Sequence, residues 1–100
     1  MALFAVSFRI GIEGNSNERW ASLVAQAKSN ATGSVWEETT SFLLFNCSKT
    51  AEELASNIYN HSSMSSSYDK LLVVNLSSKD YAKKGNITSP VTLDNLMALR

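Results

Sequence analysis

From residue 3 the chain alternates between two sets of side chains. Leu3, Ala5, Ser7 and Arg9 fall on one side, and Phe4, Val6, Phe8, Ile10 and Ile12 on the other. A period of two predicts a strand over 3–12, with the continuously apolar side against helices. Gly11 and Gly14 bracket a polar turn in which Asn15, Ser16 and Asn17 are candidate helix caps. Trp20, Leu23, Val24 and Ala27 then recur at helical spacing, predicting a helix from Glu18 to about Ser29. Residues 30–33 end it, with Gly33 as a left-handed stop. Val35 to Cys47 is rich in β-branched and aromatic residues and predicts two strands or one long bent hairpin. Its turn lies near Glu37-Glu38-Thr39.

The second helix has a sharper start. Thr50-Ala51-Glu52-Glu53 is a capping box, in which the threonine hydroxyl takes the N3 amide and Glu53 reaches back. Ala51, Leu54, Ala55, Ile58 and Tyr59 form its expected buried stripe. A serine-rich loop over 62–67 follows, and Leu71-Leu72-Val73-Val74 within 70–76 reads as a central strand. Beyond Leu76 the pattern weakens: 77–85 suggests one helical turn stopped by Gly85, and 86–88 a short strand. Ser89-Pro90 opens a last helix, with Leu93, Leu96 and Met97 as its apolar face.

The order β-α-β-β-α-β predicts an α+β domain of ferredoxin-like plan, an antiparallel sheet with both helices on one face. One domain of 1–100 is expected, its core about 3–76 and a C-terminal extension about 77–100. A chain of 100 residues buries roughly 60–70% of its unfolded surface, a thin margin that favours added burial in a dimer. The extension is amphipathic and is expected to dock on a partner subunit or to close one edge. With 9 basic and 9 acidic residues the formal net charge is zero, so no overall field draws nucleic acid or anionic lipid. The apolar runs are too short to span a membrane, and Met1–Ile10 lacks the basic leader of a signal peptide. A soluble, cytoplasmic protein is the expectation.

The chemistry-bearing residues are sparse. Cys47 and His61 are the sole members of their types, so neither a structural zinc site nor a Ser-His-Asp triad can be assembled around them. His61 reads as an exposed residue at a helix end and Cys47 as a small buried hydrophobe. Glu37 and Glu38 are the one adjacent acidic pair near a strand junction. On a strand they would face opposite ways, as a solvated rim does. Gly11-Ile12-Glu13-Gly14 lacks the lysine of a phosphate loop, and Glu13 would repel phosphate. Lys79, Lys83 and Lys84 are the densest basic cluster. If helical, Lys79 and Lys83 share a face, and with Arg9 they are the candidate nucleic-acid contacts, against the simpler reading of a lysine rim.

Four segments together carry a family resemblance: 4–10 (Phe-Ala-Val-Ser-Phe-Arg-Ile), 36–44 (Trp-Glu-Glu-Thr-Thr-Ser-Phe-Leu-Leu), 48–54 (Ser-Lys-Thr-Ala-Glu-Glu-Leu) and 69–74 (Asp-Lys-Leu-Leu-Val-Val). Over about 4–76 the chain resembles the Cas-two-like superfamily of CRISPR-associated adaptation proteins, in its SinR-like branch. The resemblance implies a ferredoxin-like fold and a homodimer packed through sheet faces, with C-terminal segments reaching across. Some members are metal-dependent nucleases that use an aspartate at the end of the first strand. Arg9 stands at that position here, and a cation there removes a ligand and repels the ion.

The expectation is therefore a non-enzymatic homodimeric scaffold or interaction module, with nucleic acid or a protein as its candidate partner, and needing no cofactor. The alternatives are a Mg- or Mn-dependent endonuclease using Glu13 with Glu37 or Glu38, and a small-ligand sensor. Fold alone does not separate the three.

Overall fold

The computed structural model describes residues 1–100. The elements run β1 Ala2–Arg9, α1 Ser16–Lys28, β2 Val35–Trp36, β3 Phe42–Cys47 and α2 Ala51–His61, then β4 Lys70–Asn75, β5 Tyr81–Gly85 and α3 Pro90–Met97. The strands form one sheet in the order β2-β3-β1-β4-β5, every pair antiparallel. Its first four members have the strand order of the ferredoxin-like plan, and β5 lengthens the β4 edge.

The alternation in β1 sets the two faces. Phe4, Val6 and Phe8 point inward and join Leu43, Phe45 and Cys47 of β3 and Leu71 and Val73 of β4. Leu23 and Ala27 of α1 and Ala51, Leu54, Ala55 and Ile58 of α2 close over them, so both helices lie on one face. Each of the larger of these side chains contributes about 1.5–3 kcal/mol by leaving water. The helices meet through polar contacts as well, since Asn57 Oδ1 accepts from Gln26 Nε2 at 2.7 Å and from Asn30 Nδ2 at 2.8 Å.

The start of α2 is as the sequence predicts. Thr50 Oγ1 accepts from the Glu53 N–H at 3.1 Å, and Glu53 Oε1 accepts from the Thr50 N–H at 2.9 Å. A third ligand comes from far along the chain: Asp80 Oδ2 accepts the Ala51 N–H at 2.8 Å. Helix N-termini attract such carboxylates, because their first N–H groups have no intrahelical partner.

Several expectations need correction. β1 stops at Arg9, and Ile12 is 91% exposed, because the Gly11 N–H turns away from the ladder to bond Asp69 Oδ1. The first helix starts at Ser16, Trp20 is half-exposed, and Arg19 is buried instead. Gly33 has no left-handed backbone; positive φ occurs only at Gly14 and Gly85. The segment 77–85 is not a helical turn. Residues 81–85 pair with β4 from Val74↔Tyr81 to Lys70↔Gly85, and α3 follows with Ser89 and Pro90 at its start as expected. α3 crosses the sheet's other face beside β5, where Asp94 Oδ1 accepts from Tyr81 Oη at 2.7 Å and Lys83 Nζ at 3.2 Å. Leu93 and Met97 are half-buried there, whereas Leu96 is exposed.

Candidate functional site

Two loops converge where β1 ends and β4 begins, around one buried ion pair. Arg19 comes from the first turns of α1 and Asp69 from the residue before β4; their side chains are 5% and 0% exposed. Arg19 Nε donates to Asp69 Oδ2 at 3.0 Å and Nη2 to Oδ1 at 3.4 Å. The remaining guanidinium hydrogens reach the Glu13 carbonyl at 2.7 Å, the Gly11 carbonyl at 2.9 Å and Asn15 Oδ1 at 2.8 Å. Asp69 also accepts the Gly11 N–H at 3.0 Å and the Ser65 N–H at 2.7 Å. Burial works to raise its pKa, but the Ser65 N–H, the guanidinium and the Gly11 N–H together hold it below the ordinary value of 3.8. Tyr68 lies against the same guanidinium, 5.6 Å from ring centre to Arg19 Cζ.

Two adjoining hollows lie beside this knot, which holds Gly11, Glu13 and Tyr68 in the wall of the second. One, of about 250 Å³, lies between β1, β4 and the start of α3; Leu72, Ile87 and Leu93 give it an apolar lining. The other, of about 390 Å³, opens between 10–13 and Tyr68. Arg9 and Lys70 line both. They are direct cross-strand partners in the β1–β4 register, so both side chains rise from the same sheet face. Lys70 Nζ donates to the Asn86 carbonyl. Neither residue belongs to any of the ion pairs Arg19–Asp69, Lys28–Glu37, Lys83–Asp94 or Lys84–Glu52.

The acidic candidates are dispersed. Glu13 lines the second hollow, near the start of α1. Glu37 is bound by Lys28 at 2.7 Å, at the other end of that helix, and Glu38 stands exposed on the loop beyond it. Nowhere do three His, Cys, Asp or Glu side chains come together as metal ligands would. The basic candidates are separated too. Lys83 and Lys84 are consecutive on a strand and point to opposite faces, one held by Asp94 at 3.2 Å and the other by Glu52 at 2.7 Å. The shared helical face expected for Lys79 and Lys83 does not exist, because 81–85 is extended. Arg9 instead finds Lys70, a partner the sequence reading missed. Cys47 is buried at the end of β3, and His61 is exposed at the last residue of α2.

Arg19 was missed because it is charged, yet its position carries a signal. It lies four residues before Leu23 and eight before Ala27, on the buried face, and Asp69 precedes a buried strand with the opposite charge.

No helix is long and apolar enough to cross a membrane. Compared with known proteins, the chain matches no family model, no curated protein and no solved structure.

Proposed function

We propose that this protein is a non-enzymatic homodimeric scaffold or interaction module, pairing through the sheet face that its two core helices leave open. The observation that carries this reading is the character of that face. Over β2, β3 and β1 it presents Trp36, Phe42, Leu44, Leu3 and Ala5, with Trp36 and Phe42 in edge-to-face contact at 6.1 Å. Its polar members are the uncharged Ser7 and Asn46, and no charged side chain interrupts it before Arg9 at its rim. An uncharged, mostly apolar patch is complementary to itself, which is what a two-fold interface requires. The zero net charge adds no long-range repulsion between copies.

Size sets a further condition. Three strands about 4.8 Å apart, with an eight-residue β1, give a patch of roughly 14 by 26 Å. That is short of the ~800 Å² per partner of a standard interface. The pairing therefore extends onto α3 and the residues after it, where Leu96 and Leu99 are exposed. Scaffolding is favoured over nuclease chemistry because Glu13, Glu37 and Glu38 stand apart while Arg9 occupies the end of β1.

Sedimentation equilibrium tests the reading. A dimer should form at micromolar concentration, and Leu44→Lys should convert it to a folded monomer, because Leu44 is on the open face. A wild-type chain that stays monomeric at the highest soluble concentration would overturn it.

A further inference from the structure

We infer that the cleft between β1, β4 and α3 binds a small amphipathic carboxylate, its charged end on Arg9 and Lys70 and its apolar body under Leu93. Like charges placed directly across a strand pair disfavour each other. Lys28, Lys83 and Lys84 each have a carboxylate within 3.2 Å, whereas Arg9 and Lys70 face each other with none. An anion between them removes that repulsion. Lys70 is already steered by the Asn86 carbonyl and retains two N–H donors. The guanidinium of Arg9 offers the fork that grips a carboxylate by two parallel bonds.

The hollow beside this pair defines the rest of the ligand. Leu72, Ile87 and Leu93 make it apolar, so a bare inorganic anion would leave it unfilled. A volume of about 250 Å³ equals about eight water molecules at ~30 Å³ each, enough for benzoate or a medium-chain acid such as octanoate. It lies below the range for drug-sized ligands. Glu13 lines the adjoining hollow on the far side of the two cations. Its charge disfavours a second negative charge, which selects a monoanionic carboxylate over phosphate.

Calorimetry and thermal melts of the full chain at low salt, with octanoate and benzoate as probes, test this directly. Both should bind and raise the melting temperature, and added salt should weaken them, because the cations are close to solvent. Octanol, benzamide and inorganic phosphate should each bind at least about tenfold more weakly, since each lacks one half of the match. Arg9→Gln and Lys70→Gln should each reduce octanoate affinity about tenfold or more, while Glu13→Gln should increase it. Circular dichroism establishes that the variants fold. Absence of binding by both carboxylates overturns the proposal, as does unchanged affinity in folded Arg9→Gln. Phosphate binding as tight as octanoate would also overturn it, because the apolar hollow would then contribute nothing.

Discussion

Replacing Asp69 by asparagine changes one atom and should cost a large part of the stability. Each carboxylate oxygen faces two donors: Oδ1 receives the Gly11 N–H and Arg19 Nη2, and Oδ2 receives Arg19 Nε and the Ser65 N–H. Whichever way the amide is turned, its NH₂ group points at two other donors. Two hydrogen bonds are lost in either orientation, and the buried guanidinium loses its counter-charge. Removing one partner from a buried pair costs about 3–5 kcal/mol. For a domain of this size, each kcal/mol moves the melting temperature by about 4–8 °C. The expected fall is at least about 12 °C, read by circular dichroism, with a lower urea midpoint and an unchanged denaturant slope. Arg19→Met should cost a similar amount. The double variant Arg19→Met/Asp69→Asn should lose clearly less than the two single losses combined, because it leaves no unpaired charge. A loss below about 1 kcal/mol in Asp69→Asn would mean that the pair behaves as a solvated one, and would refute the reasoning.

Two other outcomes follow from the same region. Gly85 has φ +91°, and a β-carbon there would lie 2.2 Å from the Asp69 carbonyl oxygen. Gly85→Ala should therefore lose about 1–3 kcal/mol from the backbone conformation alone, with the steric clash in addition. Gly33, with open space around it and no positive φ, should accept alanine without loss; equal effects at the two glycines in thermal melts would contradict this. Acid should unfold the protein in a defined sense. Asp69 is held below its ordinary value, as are Glu52 by the Lys84 hydrogen bond, Glu53 by the Thr50 N–H and Asp94 by the Tyr81 hydroxyl. Groups with lowered folded pKa values stabilise fully above their unfolded values, and that stability is lost as pH falls through the folded ones. Urea midpoints should drop as pH falls below about 4, and less steeply in Asp69→Asn; equal slopes would remove Asp69 from the account.

The amino-acid sequence alone determined what short-range patterns can carry. The alternation of Phe4, Val6 and Phe8 identifies the inward face of β1. The stripe Leu54, Ala55, Ile58 and the Thr50–Glu53 box locate α2, with its N-cap as observed. The element order then leaves few ways of arranging an antiparallel sheet under two helices. Ser89 and Pro90 likewise begin α3 where their chemistry suits a helix start. Each of these signals is complete within a few residues of the chain, so no distant partner is needed to read it.

Tertiary structure decided the rest, because the deciding partners are far apart in sequence. Tyr81–Gly85 contains two lysines and little β-propensity, and it becomes a strand because β4 offers it an unpaired edge. Asp80 is an ordinary loop acid until the fold brings it to the N–H of Ala51, 29 residues away. Arg19 and Asp69, 50 residues apart, have no short-range pattern that pairs them, yet together they satisfy a buried site that neither would tolerate alone. The grouping of Arg9 with Lys70 arises in the same way: sheet register sets two cations side by side, and the loop tied to Asp69 through Gly11 lines the hollow next to them.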